Sequence, residues 1–361
     1  MDETKPKYLI VEKNIRDAIK DWKPDQKLPG ERVLAKELGM SYMTIRKAIE
    51  NLVTDGLLYK IPTKGTFVAD GRARKVKSKT IGYFLDSRII GGLSSPYYSM
   101  IFNALEKETA KNGYSLVYFT ENDSDKLNKT LKKLDGIIAS CFLRIEQFIY
   151  EINDSVPVVV IDNSASDKTI PSVIIDNFNA MMEAVDYLCE LGHKRIGFMT
   201  GLEDSDIGKN RFEGYKTSLL KHGITPENDL IYHGDYSFES GKKGAKYLLE
   251  LKPQPTAIVS ANDSMAMGVM SILQSRDLNV PVDYSLIGFD DIDVACQITP
   301  ALTTLAAPIS QIAAVSFKML KNLIDGQSPK NMHVALPAKL IIRNTTAEVS
   351  SKNVAALSAI Y

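Results

Sequence analysis

The sequence has few cysteines, no long apolar run and no net charge. Its three cysteines, Cys141, Cys189 and Cys296, are too few and too scattered for a disulfide framework or a cysteine-based metal site, so we expect reduced thiols. No apolar run approaches the roughly 20 residues that a membrane-spanning helix needs. Residues 1–8 contain neither the apolar region nor the cleavage site of a secretion signal. These absences predict a cytoplasmic protein without a membrane partner.

The missing net charge is an average over two different segments. Over all 361 residues, 44 Lys and Arg balance 44 Asp and Glu. Residues 1–79 hold 18 basic and 11 acidic residues, whereas residues 80–361 hold 26 basic and 33 acidic ones. A basic segment joined to an acidic remainder favours a polyanion-binding module on a carrier of different purpose. A solvated charged surface that binds nothing would have the same composition, so charge alone leaves both interpretations open.

Residues 8–69 carry the spacing of three helices and a hairpin. Apolar residues three and four apart predict a first helix over residues 8–21. Gly39 separates a second helix from a third, because glycine readily takes the left-handed conformation that ends a helix, and Ser41 suits the N-cap of the third helix. Two short apolar runs within residues 57–69 predict a two-stranded wing. The order is that of a winged helix-turn-helix, whose third helix would present its first turn to a major groove.

The motif in this segment is long and specific. Residues 28–48 read L-P-x-E-R-x-L-A-x-x-L-G-x-S-x-x-T-I-R-x-A, with D-G-L-L at residues 55–58 and G-T-F-V at residues 65–68. This pattern resembles the winged helix-turn-helix of the GntR transcription-regulator family over about residues 6–69. The resemblance implies that residues 1–69 form a DNA-binding domain whose partner is double-stranded operator DNA.

The predicted DNA contacts lie on the second helix, on the third helix and in the wing. They are Arg32, Ser41, Tyr42, Met43, Thr44, Arg46, Lys47, Lys64 and Gly65. Apart from Tyr42, Met43 and the two lysines, these residues match positions that contact DNA in the resembled family. Lys47 and Lys64 are expected to contact phosphates, which adds affinity without sequence information. Either arginine could instead pair with a Glu of its own helix, and Tyr42 could cover the surface of the third helix.

Three departures from the GntR pattern bear on DNA specificity. Gly30 stands where the family usually has Ser, and Tyr42 stands where Arg is common. Residues 62–64 read Pro-Thr-Lys in place of the usual glycine-rich wing tip. A family operator sequence is therefore not directly transferable to this protein.

From Thr80 onward the pattern changes to alternating strands and helices. Residues 70–79, with five basic residues in ten, precede it and are expected to form an exposed linker, although phosphate contact would also suit their charge. The alternation predicts an α/β fold with doubly wound parallel sheets, and the length suffices for two such lobes. Ligands of open parallel sheets bind at the carboxyl ends of strands, so polar residues that follow apolar strands are the candidate ligand contacts.

Five motifs follow one another in this part of the chain. They are S-P-Y-Y at residues 95–98, L-G-H-K-R-I-G at 191–197, A-N-D-x-M-A-x-G at 261–268, I-G-F-D-D at 287–291 and P-A-L-T-T at 300–304. The set resembles the effector-binding core of the LacI/GalR repressors, which shares the periplasmic sugar-binding-protein fold, over residues 80–347. A GntR-type head on a LacI-type core resembles the arabinose-responsive repressors of Gram-positive bacteria.

The resembled core implies a two-lobed effector-binding and dimerisation domain. Its first lobe is expected to consist of residues 80–175 and 302–328, and its second lobe of residues 176–300 and 330–347. Residues 348–361 are then a C-terminal tail.

A sugar offers hydroxyl groups and flat C–H faces, so its pocket needs planar polar groups and aromatic rings. The predicted effector contacts are Tyr97, Tyr98, Asp162, Asp176, Arg211, Asn262 and Asp290. In the resembled family, the positions of Arg211, Asn262 and Asp290 contact the effector, with the two tyrosines on the opposite lobe. Asn262 and Asp290 could instead be cap or turn residues, and Asp176 could simply cap the helix that follows it.

The sequence gives little support for an enzyme. Residues 201–209 lack the glycine spacing of a P-loop, and no nucleophile elbow is present. The four histidines are dispersed, and His193 is expected to be a cation at the C-terminal end of a helix. We therefore predict no catalytic residue, no metal ion and no cofactor. A carbohydrate-active enzyme with a DNA-binding tether is the alternative from another functional class.

The sequence thus predicts a DNA-binding transcriptional regulator, and specifically a repressor of carbohydrate-utilisation genes. A homodimer would bind a palindromic operator through its two heads. A small sugar, with a pentose such as arabinose favoured, would bind between the lobes, and lobe closure would reorient the dimer and misplace the heads. A purine or another polyol as effector, and activation in place of repression, are the alternatives.

Overall fold

The computed structural model describes residues 6–69, 78–120, 130–131, 133–140, 149, 152–153, 156–163, 169–202 and 204–349. The chain divides into two compact units, Met1–Ser78 and Lys79–Tyr361, which we call the head and the larger unit. Residues 70–77 of the predicted linker and residues 350–361 of the predicted tail lie outside the described residues. None of the helices in the described part is long and apolar enough to cross a membrane.

The head contains three helices and a two-stranded antiparallel wing. They are α1 (Lys7–Ala18, continued by a 3-10 turn over Ile19–Asp21), α2 (Glu31–Glu37), α3 (Tyr42–Thr54), β1 (Leu58–Ile61) and β2 (Gly65–Val68). Val11 and Ile15 of α1 pack with Ile45 and Ile49 of α3 in one buried cluster. Gly39 has a φ of 61°, which ends α2 and lets the chain turn into α3. The predicted winged helix-turn-helix is therefore the fold of the head.

The wing is held to the segment before α2. β1 and β2 pair from Leu58 opposite Val68 to Ile61 opposite Gly65, and Lys27 forms a further bridge with Phe67. Gly65 has a φ of 119°, a conformation that side chains rarely adopt, and a Cβ there would lie 2.9 Å from Cε of Lys27. Gly65 is thus required by the backbone of the wing.

The larger unit consists of two six-stranded sheets with helices against them. Its strands are β3 (Thr80–Leu85), β4 (Ser115–Phe119), β5 (Gly136–Ser140), β6 (Val158–Ile161), β7 (Ser172–Ile175), β8 (Ile196–Thr200), β9 (Ile231–His233), β10 (Ala257–Ser260), β11 (Ser285–Asp290), β12 (Thr303–Ala306), β13 (His333–Leu336) and β14 (Lys339–Ile341). Its labelled helices are α4 (Pro96–Lys111), α5 (Asn177–Glu190), α6 (Asp206–Lys221), α7 (Phe238–Glu250), α8 (Asp263–Ser275) and α9 (Ile309–Ile324).

Each sheet forms the centre of one lobe. The order in lobe one is β13-β7-β6-β5-β3-β4, and all of its pairs are parallel. The order in lobe two is β14-β12-β11-β10-β8-β9, parallel except where β14 runs against β12. The predicted α/β architecture with two doubly wound sheets is confirmed.

The predicted lobe boundaries were wrong near the C-terminus. Residues 303–306 were assigned to lobe one, but β12 pairs with β11 of lobe two, from Thr303 beside Ile287 to Ala306 beside Asp290. Residues 333–336 were assigned to lobe two, but β13 pairs with β7 of lobe one. The chain therefore crosses after β12 and again after β13. The sequence of a short apolar strand does not indicate which sheet the strand joins, because either sheet would bury it equally well.

His193 is not the helix-terminal cation that we expected. Its ring is buried, with Nδ1 2.8 Å from the Thr256 hydroxyl and Nε2 3.0 Å from the Ser285 hydroxyl and 3.1 Å from the carbonyl oxygen of Ala347. Burial lowers the pKa of His193, because the charged ring would lose its hydration. The neutral ring thus hydrogen-bonds to Thr256 and Ser285 of lobe two and to Ala347 near the C-terminus.

Candidate effector site and DNA-reading surface

A cavity of about 220 Å³ lies at the carboxyl ends of the strands and is lined from both lobes. Lobe one contributes Tyr97 and Tyr98 from the start of α4, and Asp162 directly after β6. Lobe two contributes its polar side chains from α6, from the start of α8 and from the end of β11. These are Arg211, Asn262 and Asp290. The structure thus brings together six of the seven predicted effector contacts.

Asp162 is a buried carboxylate with spare acceptor capacity. It is 5 % exposed, and the Tyr97 hydroxyl donates to its Oδ1 at 2.5 Å. Its Oδ2 is buried without a hydrogen-bond partner among the described residues. Burial raises the pKa of Asp162 to about 6, although the Tyr97 hydroxyl, the charge of Arg211 and the Ser140 hydroxyl act in the opposite direction. A ligand that donates to Oδ2 would satisfy this group.

Arg211 supplies the buried positive charge of the cavity. It is 4 % exposed, and its guanidinium lies 3.4 Å above the ring centroid of Phe289. Nε donates to Oδ1 of Asn177 at 2.8 Å, and Nη1 donates to the carbonyl oxygen of Ala261. Asn177 in turn donates to the carbonyl oxygen of Ile175 at 3.0 Å. These contacts fix the plane of the guanidinium. They use Nε and Nη1 and do not involve Nη2.

Asp290 ends β11 on the lobe-two side of the cavity. It is 6 % exposed and has a φ of 112°, well outside the usual range for a residue with a side chain. Burial raises the pKa of Asp290 well above its ordinary value, and the charge of Arg211 opposes that shift. Asp162 and Asp290 are therefore one buried carboxyl group from each lobe at the same cavity.

Asn262 is both a cavity residue and a helix cap. Its Oδ1 accepts from the amide of Met265 at 2.9 Å, which caps α8, and its Nδ2 donates to the carbonyl oxygen of Tyr236 at 3.0 Å. The sequence left open whether Asn262 is a cavity residue or a helix cap, and its side chain is both. Its neighbour Asp263 is satisfied, since it accepts from the Thr304 hydroxyl and from the amide of Ile292.

The exposed start of α3 presents most of the predicted DNA contacts. Ser41 caps the helix by accepting from the amide of Thr44 at 3.1 Å, and their hydroxyls are 2.7 Å apart. Tyr42 and Met43 are large and mostly apolar, yet they are 42 % and 67 % exposed. Arg46 is exposed and pairs with Glu50 at 2.9 Å, as the alternative interpretation required. The remaining four, which are also exposed, are Arg32, Lys47, Lys64 and Gly65.

Comparisons with known proteins agree with both units. Residues 7–68 match the bacterial regulatory proteins of the gntR family, and residues 185–346 match the periplasmic binding protein-like domain. The chain is 33 % identical over 265 residues to the HTH-type transcriptional repressor CytR of Escherichia coli strain K12, covering 72 % of this chain and 78 % of that protein. It is 34 % identical over 287 residues to Catabolite control protein A of Priestia megaterium, covering 77 % and 85 %.

A solved structure adds the name of the family. The LacI family transcriptional regulator from Enterococcus faecium, with bound ribose, matches with a TM-score of 0.66 at 25 % identity, covering 75 % of this chain and all of that chain. The chain belongs to the LacI-type transcriptional repressors. This repressor carries a gntR-family head as its DNA-binding domain and a periplasmic-binding-protein-like effector domain. Its relatives are transcriptional regulators and not enzymes.

One predicted effector contact of this repressor does not reach the cavity. Asp176 is the N-cap of α5, where its carboxylate accepts from the amide of Asn179 at 3.2 Å and from the side-chain amide at 2.7 Å. The next residue, Asn177, lines the cavity and orients Arg211. Asp176 therefore caps the helix that follows it, which is the alternative that the sequence left open, and Asn177 lines the cavity in its place, because a helix starting at residue 177 turns successive side chains in different directions.

Sequence reasoning also missed cavity residues that lie on loops. Arg88 is held by the buried carboxylate of Asp86, with Nε 3.0 Å from Oδ1 and Nη2 2.9 Å from Oδ2. Asp235 and Tyr236 line the cavity from the segment between β9 and α7, and Phe238 lines it as the first residue of α7. No periodic pattern marks such loops, so the strand ends were the only available signal. Among the described residues, no group of three His, Cys, Asp or Glu side chains is arranged to hold a metal ion.

Proposed function

We propose that this repressor controls carbohydrate-utilisation genes and that a small sugar in the cavity governs its binding to operator DNA. The observation that carries the proposal is the meeting of Asp162 from lobe one with Arg211 and Asp290 from lobe two in one cavity. Carboxylates accept from sugar hydroxyls and a guanidinium donates to them, so one sugar would join both lobes. The ribose bound to the Enterococcus faecium regulator supports a pentose, such as arabinose, as the first candidate.

We propose that the protein binds a palindromic operator as a homodimer. Two copies of the head would place two α3 helices in successive major grooves. Arg32 and Arg46 would contact bases or phosphates, and Lys47 and Lys64 would contact phosphates. A sugar that joins the lobes would favour one arrangement of the dimer over another, and thereby change the spacing of its two heads. Because operator DNA lies in the bacterial cytoplasm, the proposal places the protein there.

The test begins with the full-length protein and a random duplex library, from which repeated mobility shifts select the preferred sequence. The selected duplex is then titrated with protein in the presence of arabinose, ribose, xylose, galactose and adenine. We expect a palindromic consensus, and at least one sugar should shift the apparent operator affinity by about 5–150-fold.

The Arg46→Ala variant is the control for DNA contact, and it should bind the consensus more weakly without changing sugar binding. A consensus that is not palindromic would contradict the dimer. A release by adenine alone would replace the sugar by a purine, and ligands that bind without affecting operator affinity would refute the proposed control.

A further inference from the structure

We propose that Lys27 binds a phosphate of the DNA backbone from the wing, and that Gly65 leaves the space through which the lysine side chain reaches it. Lys27 lies before α2, outside the helices and strands of the head, and is not among the DNA contacts that the sequence predicted. The inference rests on the proposed function only in that the wing reaches DNA. It adds one phosphate contact, and it gives a reason for the glycine at position 65 besides its backbone conformation.

Residues 25–28 run beside β2 as a third strand of the wing. Three backbone hydrogen bonds of 2.8–2.9 Å join this segment to Thr66 and Val68 of β2. Lys27 lies opposite Phe67 in this antiparallel pairing. Because the segment is paired on both sides of Lys27, the backbone of this residue is fixed relative to the wing.

The side chain of Lys27 lies on the outer face of the wing and runs towards its tip. The next residue, Leu28, is buried in the core of the head, and neighbouring residues of a strand point to opposite faces. Lys27 therefore shares the outer face with Phe67 and with Gly65, which is two residues away along β2. A Cβ on Gly65 would lie 2.9 Å from Cε and 3.7 Å from Nζ of Lys27. The lysine stem thus occupies the space of a side chain at Gly65, next to the turn at residues 62–64.

The ammonium group of Lys27 has no carboxylate partner in the part of the chain that the structure describes. By contrast, other cations of the head pair with carboxylates at 2.7–2.9 Å, namely Arg16, Lys20, Arg46 and Lys60. The acidic residues on either side of Lys27 in the sequence are also engaged. Asp25 accepts from the Tyr59 hydroxyl at 2.6 Å, and Glu31 accepts from Nζ of Lys60 at 2.7 Å. A DNA phosphate would therefore displace no internal partner from Lys27.

Lys64 adds a second exposed cation beside Gly65, and we call Lys27 and Lys64 the wing lysines. Double-stranded DNA carries one negative charge per about 1.7 Å of its axis, so two cations at the tip of the wing can each neutralise a phosphate. Contacts of this kind add affinity whatever the base sequence. The wing lysines therefore anchor the wing, and base reading falls to other residues.

The first experiment measures the affinity of the full chain for a labelled duplex of about 30 base pairs and mixed sequence, by fluorescence anisotropy at several KCl concentrations. Lys27→Met keeps an apolar stem over Gly65 but removes the charge. It should weaken binding about 3–10-fold at about 0.1 M KCl, and it should make the slope of log affinity against log salt shallower by about 0.9. Lys27→Arg keeps the charge, so it should retain the slope.

Lys13→Met is the matched control for the loss of one positive charge. Lys13 is exposed on α1, two residues from the buried Val11 and Ile15, so it faces away from α3, and its replacement should leave the slope unchanged. The fluorescence of Trp22, which packs in the core of the head, checks that each variant is folded.

An unchanged slope for Lys27→Met overturns the inference. An equal change for Lys13→Met overturns it as well, because overall charge would then account for the loss. No sugar enters this experiment, so either result leaves the proposed control by a sugar intact. Salt-independent binding, or none, by the unmodified chain would remove both the proposed DNA contacts and this inference.

The second experiment tests whether Gly65 acts through Lys27. Gly65→Ala is introduced into the unmodified chain and into the Lys27→Ala variant. The positive φ of residue 65 opposes alanine equally in both, whereas the new Cβ meets Cε only where Lys27 is present. Gly65→Ala should therefore weaken DNA binding at least about threefold more in the unmodified chain than in the Lys27→Ala variant. Equal losses in both would show that Gly65 serves the backbone alone, and would overturn its proposed role.

Discussion

Replacing Arg211 by Met tests the electrostatic description of the cavity without any ligand. Met keeps much of the apolar stem, but the variant loses the hydrogen bonds to Asn177 and Ala261 and the guanidinium above Phe289. It also loses the charge that opposes the raised pKa values of the two carboxylates in the cavity. Removing one partner from a buried charged group typically costs about 3–5 kcal/mol, and we expect a loss of that size at pH 7.5.

The loss should depend on pH in a defined direction. Burial raises the pKa of Asp162 to about 6 from an ordinary value of 3.8, so the folded state holds this proton more tightly than the unfolded state does. The resulting stabilisation is complete below pH 3.8 and is lost as the pH rises through about 6. Without Arg211 the folded-state pKa rises further, so at pH 5 the carboxyl is neutral and needs no cation. The destabilisation should therefore shrink by roughly 1–3 kcal/mol between pH 7.5 and pH 5.

Urea unfolding followed by circular dichroism at both pH values measures this difference. Trp22 is the single tryptophan of the chain and lies in the head, so its fluorescence reports the head separately and should not respond to the substitution. The Arg211→Lys variant keeps the charge but not the planar fork, and its loss should be smaller and less dependent on pH. An equal loss for Arg211→Met at pH 5 and pH 7.5 would refute the electrostatic reasoning.

Three further predictions concern packing, capping and DNA binding. In Gly268→Ala, the new Cβ would press on the carbonyl oxygen of Phe238 and lie 2.9 Å from Cα of Gly241, so urea unfolding should show a loss of about 1–3 kcal/mol; an unchanged midpoint would mean that α7 and α8 separate freely. Gly30 is the N-cap of α2 without a side-chain cap and has open space around it, so Gly30→Ser should stabilise the head by roughly 0.5 kcal/mol by tryptophan fluorescence, and a loss would contradict this cap. Glu50→Gln frees its partner on α3 and should raise the affinity for labelled duplex DNA about twofold by fluorescence anisotropy, whereas no gain would show that the pair does not compete with DNA.

The head could be predicted from the sequence almost element by element. Its signals are local: Ser41 caps α3, Gly39 turns the chain between α2 and α3, and Gly65 takes the positive φ of the wing. Each of these requirements is met within a few residues of the chain, so one stretch of sequence contains all the information. The partner of Arg46 could not be predicted in this way. An exposed arginine at this helix position can contact either DNA or Glu50, and the local sequence is the same in both cases.

The cavity was predicted less completely, because it is assembled from distant segments. Strand ends located Asp162 and Asp290, since parallel strands deliver their carboxyl ends to one edge of a sheet. The choice between Asp176 and Asn177 depended on the direction of side chains in the first turn of α5, which spacing does not reveal. Arg88 lies on the loop after β3, and Phe238 begins α7 after the loop that follows β9; no periodic pattern in the sequence marks such positions.

The sequence by itself determined the winged head, the alternating strands and helices, and the residue types that a polyol needs, because periodicity, caps and turns act locally. Only the tertiary structure decided which sheet receives β12 and β13, which member of the pair at residues 176 and 177 enters the cavity, and which carboxylates meet there. Those outcomes depend on pairing and burial between segments far apart in the chain. The burial of Asp162 and Asp290 in one cavity is therefore a property of the folded protein.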